Sequence, residues 1–268
     1  MLNVSIKARL FSYICNMRLF SYILIILALG FSSSKDRMEE VKGGSRFSQQ
    51  LISHKNYTVS YNRDTKLPNW VSWSITKDEL KSVVSRSGFN FACDPKLLIS
   101  PVSPMEYSKS GWDRGHMCPA ADNKYSATAM EESFYMTNIC PQDHTLNEKT
   151  WSYLETACRN WAQSSTVYVV CGPYISGKAK SHIGRLKVAV PDGFWKVVLR
   201  QYRGRWHAIG FIMPNEPTTT EFDEYAVTVD AVEVLTGFDF FSALDDKIEK
   251  EIESSYDLSK WPHSKHKN

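Results

Sequence analysis

Two stretches of this 268-residue chain hold side chains suited to chemistry. In Asp113-Arg114-Gly115-His116 an imidazole stands two residues from a guanidinium. An imidazole titrates near neutrality and can take a proton there, while a guanidinium suits a phosphate oxygen. Farther along, Asn147, Trp151, Glu155 and Arg159 recur at every fourth position of a segment, Leu146 to Gln163, that reads as a helix. Residues four apart are neighbours on a helical face. An amide, a carboxylate and a guanidinium on one stripe make a poor core seam but a reasonable site for a hard cation and a phosphate. Together these groups point to metal-assisted phosphodiester chemistry. Each also has a plainer reading: His116 as a structural histidine, Asn147 as a helix cap, and Glu155 with Arg159 as a surface pair.

Elements on either side must position those groups. Tyr57 to Tyr61 and Trp70 to Ile75 alternate as strands do, and Thr166 to Cys171 is a buried-strand run that stops at Gly172-Pro173. Lys187 to Val190, Phe194 to Gln201 and Arg205 to Met213 read as further strands, and Phe240 to Ile252 as a second helix. Strands and helices mix without regular alternation, so the expected class is α+β. No internal repeat is present. Residues 35–56 read as a linker, 57–258 as the main domain and 259–268 as a polar tail.

Thirteen Phe, thirteen Tyr and eight Trp are too many for a disordered chain. The net charge of +3 resides in residues 1–34, where Lys7, Arg9 and Arg18 face no acid; the remainder is neutral. A global basic footprint of the kind many DNA binders carry is therefore absent. Charge is instead segregated locally. Lys178, Lys180, Arg185, Lys187, Lys196, Arg200, Arg203 and Arg205 face Asp192 alone between Gly177 and Asn215, whereas thirteen acids face Lys247 and Lys250 from Glu216 to Leu258. The basic segment is expected to supply part of a cationic groove, with a solvated face as the plainer reading.

Met17-Arg18, the apolar run Leu19 to Phe31 and then Ser32 to Ser34 read as a signal peptide, which places the protein in an exported compartment. The run is shorter than the ~20 residues a membrane span needs, so no stable span is expected once the leader is removed. Beyond the leader lie Cys93, Cys118, Cys140, Cys158 and Cys171. Export permits disulfides, but the odd number leaves at least one thiol without an internal partner.

The order of blocks is more specific than any one residue. Asp113-Arg114-Gly115-His116-Met117 with Ala121, then Phe134 to Gln142 (FYMTNICPQ), then Leu146-Asn147 through Trp151 to Glu155, resembles the DNA/RNA non-specific endonucleases, the ββα-metal nucleases. Gly184 to Lys196, Met213-Pro214-Asn215 and Glu233 to Phe241 are similar to later blocks of that family. The resemblance implies a ββα-metal (His-Me finger) fold with a central, mainly antiparallel sheet flanked by helices.

It also implies an activity: cleavage of DNA and RNA to 5′-phosphate ends, with Mg²⁺ or Mn²⁺ as cofactor. His116 matches the general base, Asn147 the direct metal ligand and Glu155 a ligand to metal-bound water. Arg159 matches a phosphate contact, and Asn138 and Gln142 match polar residues that shape the site. Arg114 matches either a phosphate contact or scaffold. One departure stands out. The family's phosphate-binding arginine shortly before Asp94-Pro95 is replaced by Phe89 at the closest spacing, with Arg86 three residues earlier. Cys118 and Cys140 flank the signature blocks, as a disulfide or as two buried thiols; a nucleophilic Cys118 is a weaker rival. The competing functional class is a catalytically silent nucleic-acid-binding module of the same fold.

Overall fold

In a computed structural model, residues 38–44, 47–81, 83–98 and 101–263 are described; the leader reading falls on residues outside this set. In chain order, β1 (Val41–Gly43), β2 (Gln50–Ser53), β3 (Tyr57–Asn62) and β4 (Leu67–Ile75) precede β5 (Asp113–His116), α1 (Ala127–Ser133) and β6 (Ile139–Gln142). Next come α2 (His144–Leu146), a π-turn over Asn147–Trp151 and α3 (Ser152–Trp161), which run on as one helix into the loop before β7 (Val167–Tyr174). The remainder is β8 (His182–Ile183), β9 (Val188–Ala189), β10 (Gly193–Tyr202), β11 (Arg205–Pro214), β12 (Ala226–Val227), α4 (Val229–Thr236), β13 (Phe238–Phe240) and α5 (Asp246–Glu253).

Seven strands form the central sheet in the order β12-β11-β10-β7-β4-β3-β2, and every neighbouring pair is antiparallel. The fold is α+β. Both faces of the sheet are covered, so β7 and β10 read as near-continuous apolar runs rather than alternating ones. On one face Trp73, Val169 and Val198 pack with Met117, Trp151, Leu154 and Trp161. On the other, Val170, Val197 and Leu199 pack with Val229 and Val232 of α4 and Ile252 of α5. Among the described residues no helix is long and apolar enough to cross a membrane.

Period-two geometry places two cations of β10, Lys196 and Arg200, inside the first face, at 0% and 2% exposure. The Lys196 Nζ lies 4.1 Å from the Trp151 ring centroid and 5.8 Å from that of Trp73. Arg200 stacks against Trp161, Tyr202 and Trp261 and donates to the Lys260 carbonyl. These two residues of the basic segment therefore do not line a surface groove; Lys178, Arg185, Lys187, Arg203 and Arg205 are exposed.

Three further readings differ from the observed chain. The presumed linker 35–56 contributes β1, which pairs with β13, and the edge strand β2. The presumed tail starts inside the fold: Trp261 is buried against Trp161, whose indole donates to the Pro262 carbonyl at 2.7 Å. The helix expected over Phe240 to Ile252 begins only at Asp246, capped by the Asp245 side chain. Phe238–Phe240 are instead a strand partner of β1, and α4 ends at Gly237 in the left-handed region. In each case a distant partner outweighs the local pattern.

Candidate active site

β5 and β6 form an antiparallel hairpin, with Asp113 opposite Gln142 and His116 opposite Ile139, and the composite helix follows directly. This is a ββα unit. Gly115 sits where any Cβ would collide with the Gln142 side chain, so only glycine lets the two strands close at that rung. The hairpin's long connection is closed by Asn138. Its amide accepts from Cys118 N and donates to the Cys118 and Ser133 carbonyls, each at 2.8 Å.

His116 stands at the end of β5 among aromatic rings. Phe134 meets it edge-on at 5.2 Å and Phe91 lies 5.3 Å away. Its buried Nε2 has no hydrogen-bond partner among the described residues. Burial first, and then the charge of Arg86, bring its pKa down to about 3. The imidazole is neutral at physiological pH, and a neutral imidazole nitrogen can accept a proton. Its backbone is tied to the helix, since the Trp151 indole donates to the His116 carbonyl at 3.3 Å.

Two arginines approach the same aromatic group. Arg86 lies over Phe134 and Arg114 over Phe91, each 5.3 Å from the ring centroid. Arg114 also donates to the Pro104 carbonyl at 3.0 Å, and its Nε is buried without a partner. Phe89 packs with Ala120, Met130 and Phe134. Arg86 thus covers the ring that meets His116 and acts on the imidazole through its charge, while Phe89 adds only apolar packing to the same group.

On the helix, the Asn147 amide donates to Asp113 at 2.9 Å, and His144 shares the same carboxylate at 3.0 Å. Because Asp113 fixes the amide by its nitrogen, Oδ1 is left without a protein donor among the described residues. The π-turn begins at Asn147, and such a widened turn changes the angular offset between Asn147 and Glu155; π-turns recur at functional sites. Glu155 is partly buried. Burial raises its pKa to about 7, opposed by the charges of Lys196 and Arg159. Arg159 is engaged on two nitrogens, with Asp122 at 2.9 Å and Thr156 at 2.8 Å.

Oxygen donors of an amide and a carboxylate fit a hard ion such as Mg²⁺, which keeps several waters and needs few protein ligands. The unpartnered Oδ1 of Asn147 and the partly buried Glu155 pass that test. No soft ligand competes. Cys118, Cys140, Cys158 and Cys171 are buried free thiols, and burial pushes the Cys118 thiol well above its ordinary range. No disulfide joins Cys118 to Cys140, and a nucleophilic Cys118 loses its basis, because the thiolate is the reactive form.

Sequence reasoning missed Asp113 as the clamp on Asn147, Asp122 as the counter-ion of Arg159, and Lys196 beneath Trp151. Asp113 was discoverable, being the first residue of the signature and adjacent to the arginine. Asp122 and Lys196 carried no signal, since only the fold brings them to the helix.

The chain was also compared with known proteins. Residues 34–247 match the family model described as DNA/RNA non-specific endonuclease. Human mitochondrial nuclease EXOG is 35% identical over 213 residues, covering 72% of this chain and 57% of its own length. A nuclease of Nostoc sp. is 34% identical over 221 residues, covering 77% of this chain and 78% of its own. In a solved complex of EndoG with EndoGI, one chain superimposes with a TM-score of 0.69 at 28% identity, over 74% of this chain and 88% of that one. The chain spans only 57% to 63% of the mitochondrial EXOG relatives' length. Match, identity and coverage agree with the ββα geometry, and this chain belongs to the DNA/RNA non-specific endonuclease family.

Proposed function

We propose that the protein is an exported, divalent-metal-dependent endonuclease that hydrolyses DNA and RNA without strong sequence preference. The observation that carries this reading is the arrangement on β5. One end holds His116 with an unpartnered Nε2, and the other holds Asp113, which orients the Asn147 amide. His116 accepts the proton of the water that attacks phosphorus. Asn147, whose Oδ1 is free of the Asp113 clamp, and Glu155 are the residues that would hold the ion, Mg²⁺ or Mn²⁺. When bound, that ion supplies positive charge against the charge that develops on the phosphate and the departing 3′ oxygen.

Arg86 links binding to basicity. Its charge helps keep His116 unprotonated, and the same guanidinium, held over Phe134, would receive a phosphate. A phosphodiester that offsets this charge raises the basicity of His116 once substrate is bound. Arg86 takes the place of the family's upstream arginine in this reading. Arg114 and Arg159 would add phosphate contacts, Arg159 with its fork preset by Asp122. Asn138 acts as a positioning residue, because its amide is spent on backbone groups. Groups of this kind read phosphate rather than base edges, which accounts for weak sequence preference.

The test is digestion of plasmid DNA and bulk RNA by purified protein, with and without EDTA. Cleavage of both, lost in EDTA and restored by Mg²⁺ or Mn²⁺, is expected. Binding without turnover in either metal would establish the silent module instead. Export rests on the leader alone; N-terminal sequencing of the mature protein should find residues 1–30 or so removed.

A further inference from the structure

The acidic half of the segregated charge plays no part in the nuclease reading. Part of it lies on the opposite face of the sheet, where α4 and α5 pack. There Asp230, Glu233 and Glu253 each offer a carboxylate oxygen, and the three oxygens lie within 4.8 Å of one another. Asp230 and Glu233 are three apart on α4 and so share a face, and Glu253 is the last residue of α5. We propose that these three carboxylates form a structural site for a hard divalent cation of the calcium class, bridging α4 and α5.

Proximity of acids alone would not carry this. The second observation is Glu253 itself, only 6% exposed, with an Oε1 that is buried and has no hydrogen-bond partner. A buried carboxylate is costly unless it is paired, protonated or bound to metal. None of the three makes an ion pair among the described residues. Burial, and then the charges of Glu233, Glu249, Asp230 and Asp239, push the Glu253 carboxyl up to about 9. These strongest charges are all negative; Lys42, opposite Asp239, acts on Glu249 but makes no ion pair with the three carboxylates.

Geometry selects the ion. Oxygens bound at about 2.3–2.6 Å to one Ca²⁺ lie no more than about 5 Å apart, which the observed spacing satisfies. Glu233 is pre-oriented, since its Oε1 accepts from Phe240 N at 3.0 Å. Asp230 is exposed, which leaves an entry path and room for waters to complete the shell. Three carboxylates from two helices suit the larger and more tolerant Ca²⁺ better than Mg²⁺, which favours one or two carboxylates.

The experiment is thermal unfolding and calorimetric titration of EDTA-stripped, dialysed protein with CaCl₂. An Asn147→Ala background removes the proposed nuclease-site ligand. One Ca²⁺ should bind, and unfolding should shift upward by about 5 °C at a hundredfold excess over Kd. Glu253→Gln and Asp230→Asn should each abolish the shift. Asp230 is exposed, so the second variant folds even if the first does not. No shift in the Asn147→Ala protein, or an equal shift in Asp230→Asn, overturns the proposal, and stabilisation by acid alone would mean that the cluster takes a proton instead. Neither readout depends on nuclease activity.

Discussion

The two faces of the central sheet treat buried carboxylates differently. On the nuclease face Glu155 is lifted by burial to about 7 and held there by Lys196 and Arg159. On the α4–α5 face Glu253 is lifted by burial to about 9, and its charged neighbours only raise it further. Burial is the leading cause in both, so the difference lies in the counter-charges. The nuclease face keeps its own cations: Lys196 against Trp151, and Arg159 paired with Asp122. Among the described residues the other face carries none within ion-pair distance of the cluster. One face supplies its own counter-charges; on the other the proposed cation would supply the missing one.

The largest expected effect separates the two chemical parts of the nuclease face. His116→Ala removes the proton acceptor and should lower turnover by at least ~10²-fold, with no recovery at high Mg²⁺. Asn147→Ala removes a metal ligand, so its activity should recover in part as Mg²⁺ is raised. Steady-state kinetics across a Mg²⁺ series checks both, and matching responses of the two variants would remove the assigned division of labour.

A smaller effect tests the counter-charge directly. Lys196→Met fills the same slot without the cation and should leave the fold intact, because the Lys196 Nζ is buried without a hydrogen-bond partner and no direct ion pair is broken. It also deletes an influence that lowers the Glu155 pKa. An acid whose pKa rises from about 7 is less ionised at neutral pH, so activity at pH 7 should drop by about fivefold for the first unit of rise and return at higher pH. A loss that is independent of pH would show that Lys196 acts through packing alone.

Arg86→Gln should act through His116 in the opposite sense. Removing a cation raises the pKa of a neighbouring base, so the His116 pKa, followed by NMR titration, should rise from about 3 by the part that Arg86 contributes, burial holding the rest down. KM should rise as well. An unmoved His116 pKa would place Arg86 away from His116 in solution.

The smallest effects belong to the exposed lysines. Lys178→Glu and Lys187→Glu should raise KM by a few fold and flatten its salt dependence, with little change in kcat. Lys180→Glu should do less, because that lysine is already paired with Asp192 at 2.8 Å. An unchanged salt slope in all three would mean that the segment is merely solvated.

Strands β3, β4, β7, β10 and β11 were legible because long runs of branched and aromatic residues state their preference locally. β5 was not. Asp113-Arg114-Gly115-His116 has no strand composition, and its strand exists because β6 supplies the ladder and Gln142 covers Gly115. β1 and β13 are likewise short segments that define each other. The helix was legible from Leu146 onward, but not the π-turn that begins at Asn147, which depends on how the helix sits against the hairpin.

The chain by itself determined the family, the fold class and the set of reactive groups, because motif order and residue chemistry are written along one dimension. Only the tertiary structure decided which groups hold which. It placed Asp113 on Asn147, Asp122 on Arg159, Lys196 under Trp151 and Arg86 beside His116. It also turned two cations of a basic run inward and three acids of an acidic run into a cluster. Charge and burial depend on distance through space and on exclusion of water, and neither quantity is defined until the sheet has brought remote residues together.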